Sequence, residues 1–278
     1  MFKYFKESFA RKRARRTFKE YPIEIDSYDF PTDGKIEFAR WTNPLTPTTS
    51  TSICQDNVDF FRKYIKKGDF VIDIGANTGD TTVPMAIAAG KEGFALAFDP
   101  NPHVFNVLER NAGLNKGKTN IVPYPFAITE TSQEFFYTSS EASYANGGIS
   151  KENTGEHGSF SLKEKVKGIM LADFLEENYN EWLPKLTFIK IDTEGYDKII
   201  LDNISDLIEK YKPILVAECF GELSFQERLE LLESVEEKGY ELYAFHDFFI
   251  YEEILKIENK ENFLKITNNF NFCGIPVK

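Results

Sequence analysis

The rhythm of apolar and polar positions changes near residue 68. Before it the pattern is irregular. Phe2, Phe5 and Phe9 recur at three- and four-residue spacing among basic side chains, which predicts a short amphipathic helix within residues 1–20. Lys35–Trp41 alternates as a strand does. Thr42–Ser52 holds two prolines and many Thr and Ser, and reads as a loop. Asp56–Ile65 carries Val58, Phe61 and Ile65 on one helical face. After Gly68, short apolar runs and amphipathic stretches alternate. Phe70–Ile74, Phe94–Phe98, Ile121–Ile128, Leu186–Ile191 and Pro213–Glu218 read as buried strands, with Tyr240–Phe245 and Phe270–Val277 as two more. Thr81–Ala89, Asn101–Asn111, Met170–Glu177, Asp197–Lys210 and Ser224–Lys238 read as helices between them. Residues 130–165 are a polar, glycine-bearing insertion, read as a strand plus an excursion over the sheet. This alternation predicts parallel βαβ units and a doubly wound α/β sheet. Three segments follow: a basic stretch at 1–20, an extension and candidate lid at 21–67, and the main domain at 68–278.

Composition sharpens the picture. In 278 residues, 42% are hydrophobic and 15% aromatic, enough to fill a sizeable core and to exclude global disorder. The net charge of −11 is unevenly spread. Residues 1–20 hold eight basic and two acidic side chains, a net +6, so the remaining 258 residues carry −17. A body this acidic is a poor partner for nucleic acid. The basic, aromatic segment fits a peripheral contact with an anionic membrane or a partner, and also a solvated, frayed helix or one packed on its own domain or a sister subunit. Three cysteines without a CxxC pair argue against a disulfide framework or a Cys-rich zinc site, and Cys219 reads as a core residue. No run of about 18 apolar residues suggests a membrane span. The N-terminus lacks the apolar stretch of a secretory signal. The expected compartment is the cytoplasm, with the basic segment able to reach the inner face of the membrane.

The chemistry concentrates at two strand ends. In Val71-Ile72-Asp73-Ile74-Gly75-Ala76-Asn77-Thr78-Gly79-Asp80 a buried strand runs into a glycine turn and then a helix. Ligands of open α/β sheets bind at such carboxyl ends. Gly75 and Gly79 let a ligand approach the backbone. The spacing is neither a dinucleotide fingerprint nor a phosphate-cradling loop. Asp99 ends the next strand, twenty residues after Gly79, where an acid can accept hydrogen bonds from ribose hydroxyls. Asp73, just before the turn, suits a cationic ligand. S-adenosylmethionine, with its adenosine, sulfonium and amino-acid tail, meets all three hints. Asp192, Glu194 and Glu218, at the ends of the Leu186–Ile191 and Pro213–Glu218 strands, and His246, after Tyr240–Phe245, are candidates to take a hydroxyl proton. Their spacing has no metal signature, and no metal is expected. Each has a plainer role open to it: Asp192 as a helix cap, Glu194 as a hydrogen-bond partner of a loop, Glu218 as a structural partner of a backbone amide, and His246 as packing or surface. His103, near a helix start, reads as a cap, and His157 in the insertion as a weak candidate for a substrate contact.

These motifs resemble those of the class I S-adenosylmethionine-dependent methyltransferases, and more narrowly the FkbM family. The likeness runs from about Asp56 to Tyr243, on VIDIGANTGDTT (Val71–Thr82), AFDPNP (Ala97–Pro102), KGIMLADFL (Lys167–Leu175), FIKIDTEGYD (Phe188–Asp197) and ILVAE (Ile214–Glu218). The resemblance implies a Rossmann-like sheet of seven strands with the last antiparallel and helices on both faces. It implies O-methylation of a glycan, a lipid-linked saccharide or a secondary metabolite. By motif position, Asp73, Gly75, Ala76, Asn77, Thr78 and Gly79 would surround the methionine part. Asp99, with Pro100 and Asn101, would hold the ribose, and Ala127 and Ile128 would flank the adenine. Asp192 and Glu194 would face the sulfonium and the acceptor. Two rivals stand beside this reading: a nicotinamide-dependent oxidoreductase on a similar sheet, and a non-catalytic module that binds S-adenosylmethionine.

Overall fold

The computed structural model describes residues 2–46, 53–152, 160–267 and 269–277. The N-terminal part holds helix α1 (Phe2–Arg16), the hairpin β1 (Ile23–Phe30) and β2 (Gly34–Trp41), and helix α2 (Gln55–Arg62). The expected helix and the strand at 35–41 are present. Strand β1 was not anticipated. Its apolar residues switch parity at Ser27, from Ile23 and Ile25 to Tyr28 and Phe30, which hides the alternation. Of the loop at 42–52, residues 47–52 lie outside the described residues, as does His157 of the insertion.

From β3 (Phe70–Ile74) onward the units alternate: α3 (Thr82–Ala89), β4 (Phe94–Phe98), α4 (Pro102–Gly113) and β5 (Ile121–Tyr124). After the insertion come α5 (Leu171–Tyr179), β11 (Leu186–Ile191), α6 (Asp197–Asn203), α7 (Ser205–Tyr211) and β12 (Ile214–Cys219). The chain ends with α8 (Phe225–Glu236), β13 (Tyr240–Phe245), the two-residue β14 (Leu255–Lys256), α9 (Lys260–Ile266) and β15 (Phe270–Pro276). The main sheet has the order β14-β13-β15-β12-β11-β3-β4-β5. Strands β5, β4, β3, β11 and β12 run parallel, and β15 lies antiparallel between β12 and β13. The expected seven strands with the last antiparallel are therefore present, and β14 adds a short edge to β13.

Three local expectations change. The run Ile121–Ile128 is two strands, because Pro125 has no N–H for a ladder. β5 stays on the main sheet's edge, and β6 (Phe126–Ile128) leaves it to pair with β10 (Val166–Ile169). The insertion is a small sheet of its own, β6-β10-β7-β8, with β7 (Glu134–Ser139) also pairing β9 (Phe160–Ser161) and β8 being Gly148–Ser150. The stretch Asp197–Lys210 is two helices, parted at Ile204 beside Asn203, whose amide donates to the Thr129 carbonyl at 2.9 Å.

Strand periodicity builds the core on both faces. Phe70, Ile72 and Ile74 of β3 share one cluster with Leu175, Ile200, Leu201, Ile208, Leu231 and Leu232 of α5–α8. Val71 points the other way, to Phe60, Phe61 and Met85 of α2 and α3. Cys219 and Cys273 are buried free thiols within these layers. The strand order reverses between β3 and β11, so their carboxyl ends open a crevice at that seam.

One side chain ties the hairpin to this crevice. Asn111 of α4 accepts from the Ala39 N–H at 2.6 Å, and its amide donates to the Ala39 carbonyl at 2.9 Å and to the Thr78 carbonyl at 2.7 Å. All three bonds are buried, so truncation leaves partners that water cannot reach. Asn111→Ala is expected to lower the unfolding free energy by roughly 3 kcal/mol, measured by chemical denaturation.

Candidate active site

The turn after β3 is shaped by close approach. Gly75 has φ 74° and Asn77 φ 45°, both left-handed. A Cβ on Gly75 would stand 1.9 Å from the Asp192 carbonyl oxygen, so only glycine passes beneath the end of β11. The Gly75 and Ala76 amides donate to the Phe98 carbonyl at 2.9 and 3.0 Å, which ties the turn to β4. Asp99 completes the join. One carboxylate oxygen accepts from the Asn77 amide and the other from the Asn101 amide, both at 2.9 Å. Asn101 also caps α4 by accepting from the His103 N–H, and its amide donates to the Tyr144 carbonyl at 2.8 Å. His103 therefore lies in the first turn rather than at the cap, with its ring stacked on Tyr144.

Two cavities open on this turn. The larger, about 420 Å³, is walled by Gly75, Asn77, Asp99, Pro100 and Asn101 on one side and by Phe126, Ala127 and Ile128 on another. Tyr137 and Asn146 of the insertion, with Asp192 and Glu194, complete it. The smaller, about 270 Å³, is lined by Asn57, Asp80, Thr81, Lys190, Asp192, His246, Asp247 and Asn271, with Phe61, Phe248 and Phe249. The two share Gly75, Asn77, Asn146 and Asp192. Asp192 thus stands at the boundary between them.

The candidate residues divide between these places. Gly75, Asn77, Asp99, Pro100, Asn101, Ala127, Ile128, Asp192 and Glu194 meet in the larger cavity, and His246 joins Asp192 in the smaller. Ala76, Thr78 and Gly79 lie behind the lining and shape the turn; Gly79, at φ 92°, packs on Leu108. Asp73 also lies behind the wall. Its carboxylate accepts from the Thr81 and Thr82 hydroxyls at 2.9 and 2.6 Å and from Lys190 Nζ at 3.2 Å. Glu218 lies outside both linings and accepts from the Asn269 amide at 3.1 Å.

Lys190 and Asp80 were missed. Lys190 is 2% exposed and lies 3.2 Å from Asp73 and 3.4 Å from Asp192, so one ammonium links the buried acid to the boundary acid. Its signal was a lysine inside the apolar strand Leu186–Ile191, where a charge is unusual. Burial lowers the Lys190 pKa, but Asp73, Asp192 and Asp80 outweigh it, and the net shift is upward. Burial pushes Asp80 up to about 7, against the pull of Lys190 and with the repulsion of Asp73. Asp99 rises to about 6 chiefly by burial, opposed by its two amide bonds. Burial and the charge of Asp192 raise Glu218 to about 7 and Asp197 to about 6. Glu194 rises for the same two reasons. Neighbouring carboxyls with raised values suit an acid–base site.

The sequence model described as the methyltransferase FkbM domain matches residues 73–242, more than half of the chain. The ribosomal protein L11 methyltransferase of Bacillus licheniformis is 27% identical over 106 residues, 38% of this chain. The match spans 31% of that relative's own length. Among solved structures, the FkbM methyltransferase of Methylobacillus flagellatus superposes with a TM-score of 0.46 at 13% identity, over 76% of this chain and 44% of that one. An S-adenosylmethionine-dependent O-methyltransferase of Thermotoga maritima gives a TM-score of 0.40 at 13% identity, over 92% of this chain and 78% of that one.

The raised carboxyls have a consequence for stability. An acid whose folded pKa exceeds its unfolded value keeps its proton in the fold at pH values where the unfolded chain has lost it. Its stabilising contribution is complete below the ordinary value and disappears as pH rises through the raised one. Asp80, Asp99, Asp197 and Glu218 should therefore weaken the ligand-free fold between about pH 4 and about pH 7. Asp80→Asn is expected to flatten the upper part of that decline, measured by denaturant midpoints across pH.

Proposed function

This chain belongs to the FkbM methyltransferase domain family, a family of S-adenosylmethionine-dependent enzymes, and on that premise we propose that it methylates a hydroxyl of a glycan, a lipid-linked saccharide or a secondary metabolite. The observation that carries the reading is the meeting of two cavities at Asp192. One cavity suits a nucleoside and the other suits a polar acceptor.

The larger cavity fits the cofactor. Gly75 leaves its flank bare, and Asp99 uses one lone pair of each oxygen on Asn77 and Asn101, which leaves others for ribose hydroxyls. Phe126, Ala127 and Ile128 offer an apolar wall for the base. Asp192 and Glu194 bring carboxyl groups to the side where a cationic sulfur would lie. When bound, S-adenosylmethionine supplies a methyl carbon made electrophilic by its sulfonium. The chain's own task is to place an acceptor oxygen in line with that carbon, exclude water and receive a proton.

The smaller cavity has groups for each task. Asn146 and Asn271 offer amide groups and Asp247 a carboxylate, and Phe61, Phe248 and Phe249 offer ring faces and edges. Amides and carboxyls beside aromatic rings suit a molecule with hydroxyls on one face and C–H bonds on the other, which is the chemistry of a sugar ring. Asp80, Asp192, Asp247 and His246 line the same space and are able to accept the hydroxyl proton.

S-adenosylhomocysteine is expected to raise the thermal midpoint of the protein, and NAD is expected to leave it unchanged. The reverse result would favour the nicotinamide reading. In assays of labelled methyl transfer to a panel of saccharides, Asp192→Asn is expected to cut turnover by roughly 10²–10⁴-fold. Full turnover in that variant would remove Asp192 from the mechanism, and no transfer by the unaltered protein to any hydroxyl acceptor would favour the non-catalytic module.

A further inference from the structure

We propose that α1 is a docking face for an anionic lipid bilayer. Among the described side chains of α1, only Ala14 is fully buried, at 0% exposure. A helix turns 100° per residue, so Phe9, Lys12 and Arg16 fall on the side away from Ala14, with Arg13 flanking them. All four are exposed, and Phe9 is 70% exposed. The result is one aromatic ring on the same side of the helix as the cations. It suits the boundary of headgroups and acyl chains, where the ring enters and the cations meet phosphate.

Charge selects the partner and the orientation. Residues 1–20 carry +6 and the other 258 carry −17, so an anionic surface attracts α1 and repels the body behind it. The attachment of α1 fixes what then faces the lipid. The Ala142 amide donates to the Arg15 carbonyl at 3.1 Å, and Arg15 pairs with Glu141 at 3.5 Å. Phe18, just past the helix, packs against the rings of His103 and Tyr144. Ala145, Asn146 and Gly147, the next residues along, line the larger cavity. The helix is thus fastened to the segment that walls the site. Asn146 of that segment also lines the smaller cavity, so an acceptor carried on a lipid would meet the enzyme beside the segment to which α1 is fastened. That last step rests on the proposed transfer to a saccharide; the docking itself does not.

The test is co-sedimentation of the full chain with vesicles of phosphatidylcholine alone or of phosphatidylcholine mixed with phosphatidylglycerol. Binding is expected to the mixed vesicles only and to weaken with salt. The variant Lys12→Gln/Arg13→Gln/Arg16→Gln should bind about tenfold more weakly or worse, and Phe9→Ser several-fold more weakly. Both variants alter exposed positions, and an unchanged thermal shift with S-adenosylhomocysteine would show that they fold. Equal binding by the charge variant, equal binding to neutral vesicles, or no vesicle binding would overturn the proposal. Salt-sensitive binding to polyuridylate without vesicle binding would overturn it too, by assigning the face to nucleic acid. Vesicle binding by a protein that does not transfer methyl groups would leave the docking face standing and count against the enzymatic reading alone.

Discussion

The site depends on one close approach: the backbone at Gly75 runs beneath the carbonyl of Asp192, in a space that a single methyl group would fill. The two strands it joins, β3 and β11, lie side by side where the sheet changes direction. Because the turn is pressed against β11, its left-handed Asn77 presents a backbone amide to Asp99, and Asp99 in turn engages Asn101 at the start of α4. Three strand ends are thereby locked into one rim. The larger cavity is the space that this rim encloses with β6 and the insertion.

Beneath the rim lies an electrostatic counterpart. Lys190 is buried between Asp73 and Asp192, and Asp80 adds a third acid to the group. Burying a lone ammonium is costly, and burying one among carboxylates is tolerable when the geometry is good. Here the arrangement divides the labour. Asp73 is spent on Lys190 and on the two threonine hydroxyls at the start of α3. Asp192, held at the other end of the same ammonium, stays in contact with both cavities. Asp73, which reads from sequence as a ligand contact, is engaged here by the ammonium that also holds Asp192 at the boundary.

Much of this was legible in the residues. Short apolar runs ended by Gly75 and Asp99 marked the strand ends, and the alternation with helices marked the sheet. What escaped has physical reasons. The hairpin strand at 23–30 was hidden by a change of parity at Ser27. The split after Tyr124 depends on Pro125 moving the chain to a second sheet, a tertiary event that local pattern cannot show. Lys190 looked like one charge in an apolar strand, and its two partners lie 117 residues back and two residues on, of which only the nearer was visible. The smaller cavity is built from α2, the β3 turn, β11 and the segment after β13, so no stretch of sequence contains it. Conversely, Glu218 ends a strand as a site residue would, yet its carboxylate turns to Asn269.

The most direct measurement of the central claim is a crystal structure with S-adenosylhomocysteine bound. The account predicts the ribose on Asp99, the base against Phe126–Ile128, and the sulfur beside Asp192, facing the smaller cavity. A nucleoside bound elsewhere, or a sulfur turned away from Asp192 toward closed protein, would contradict it.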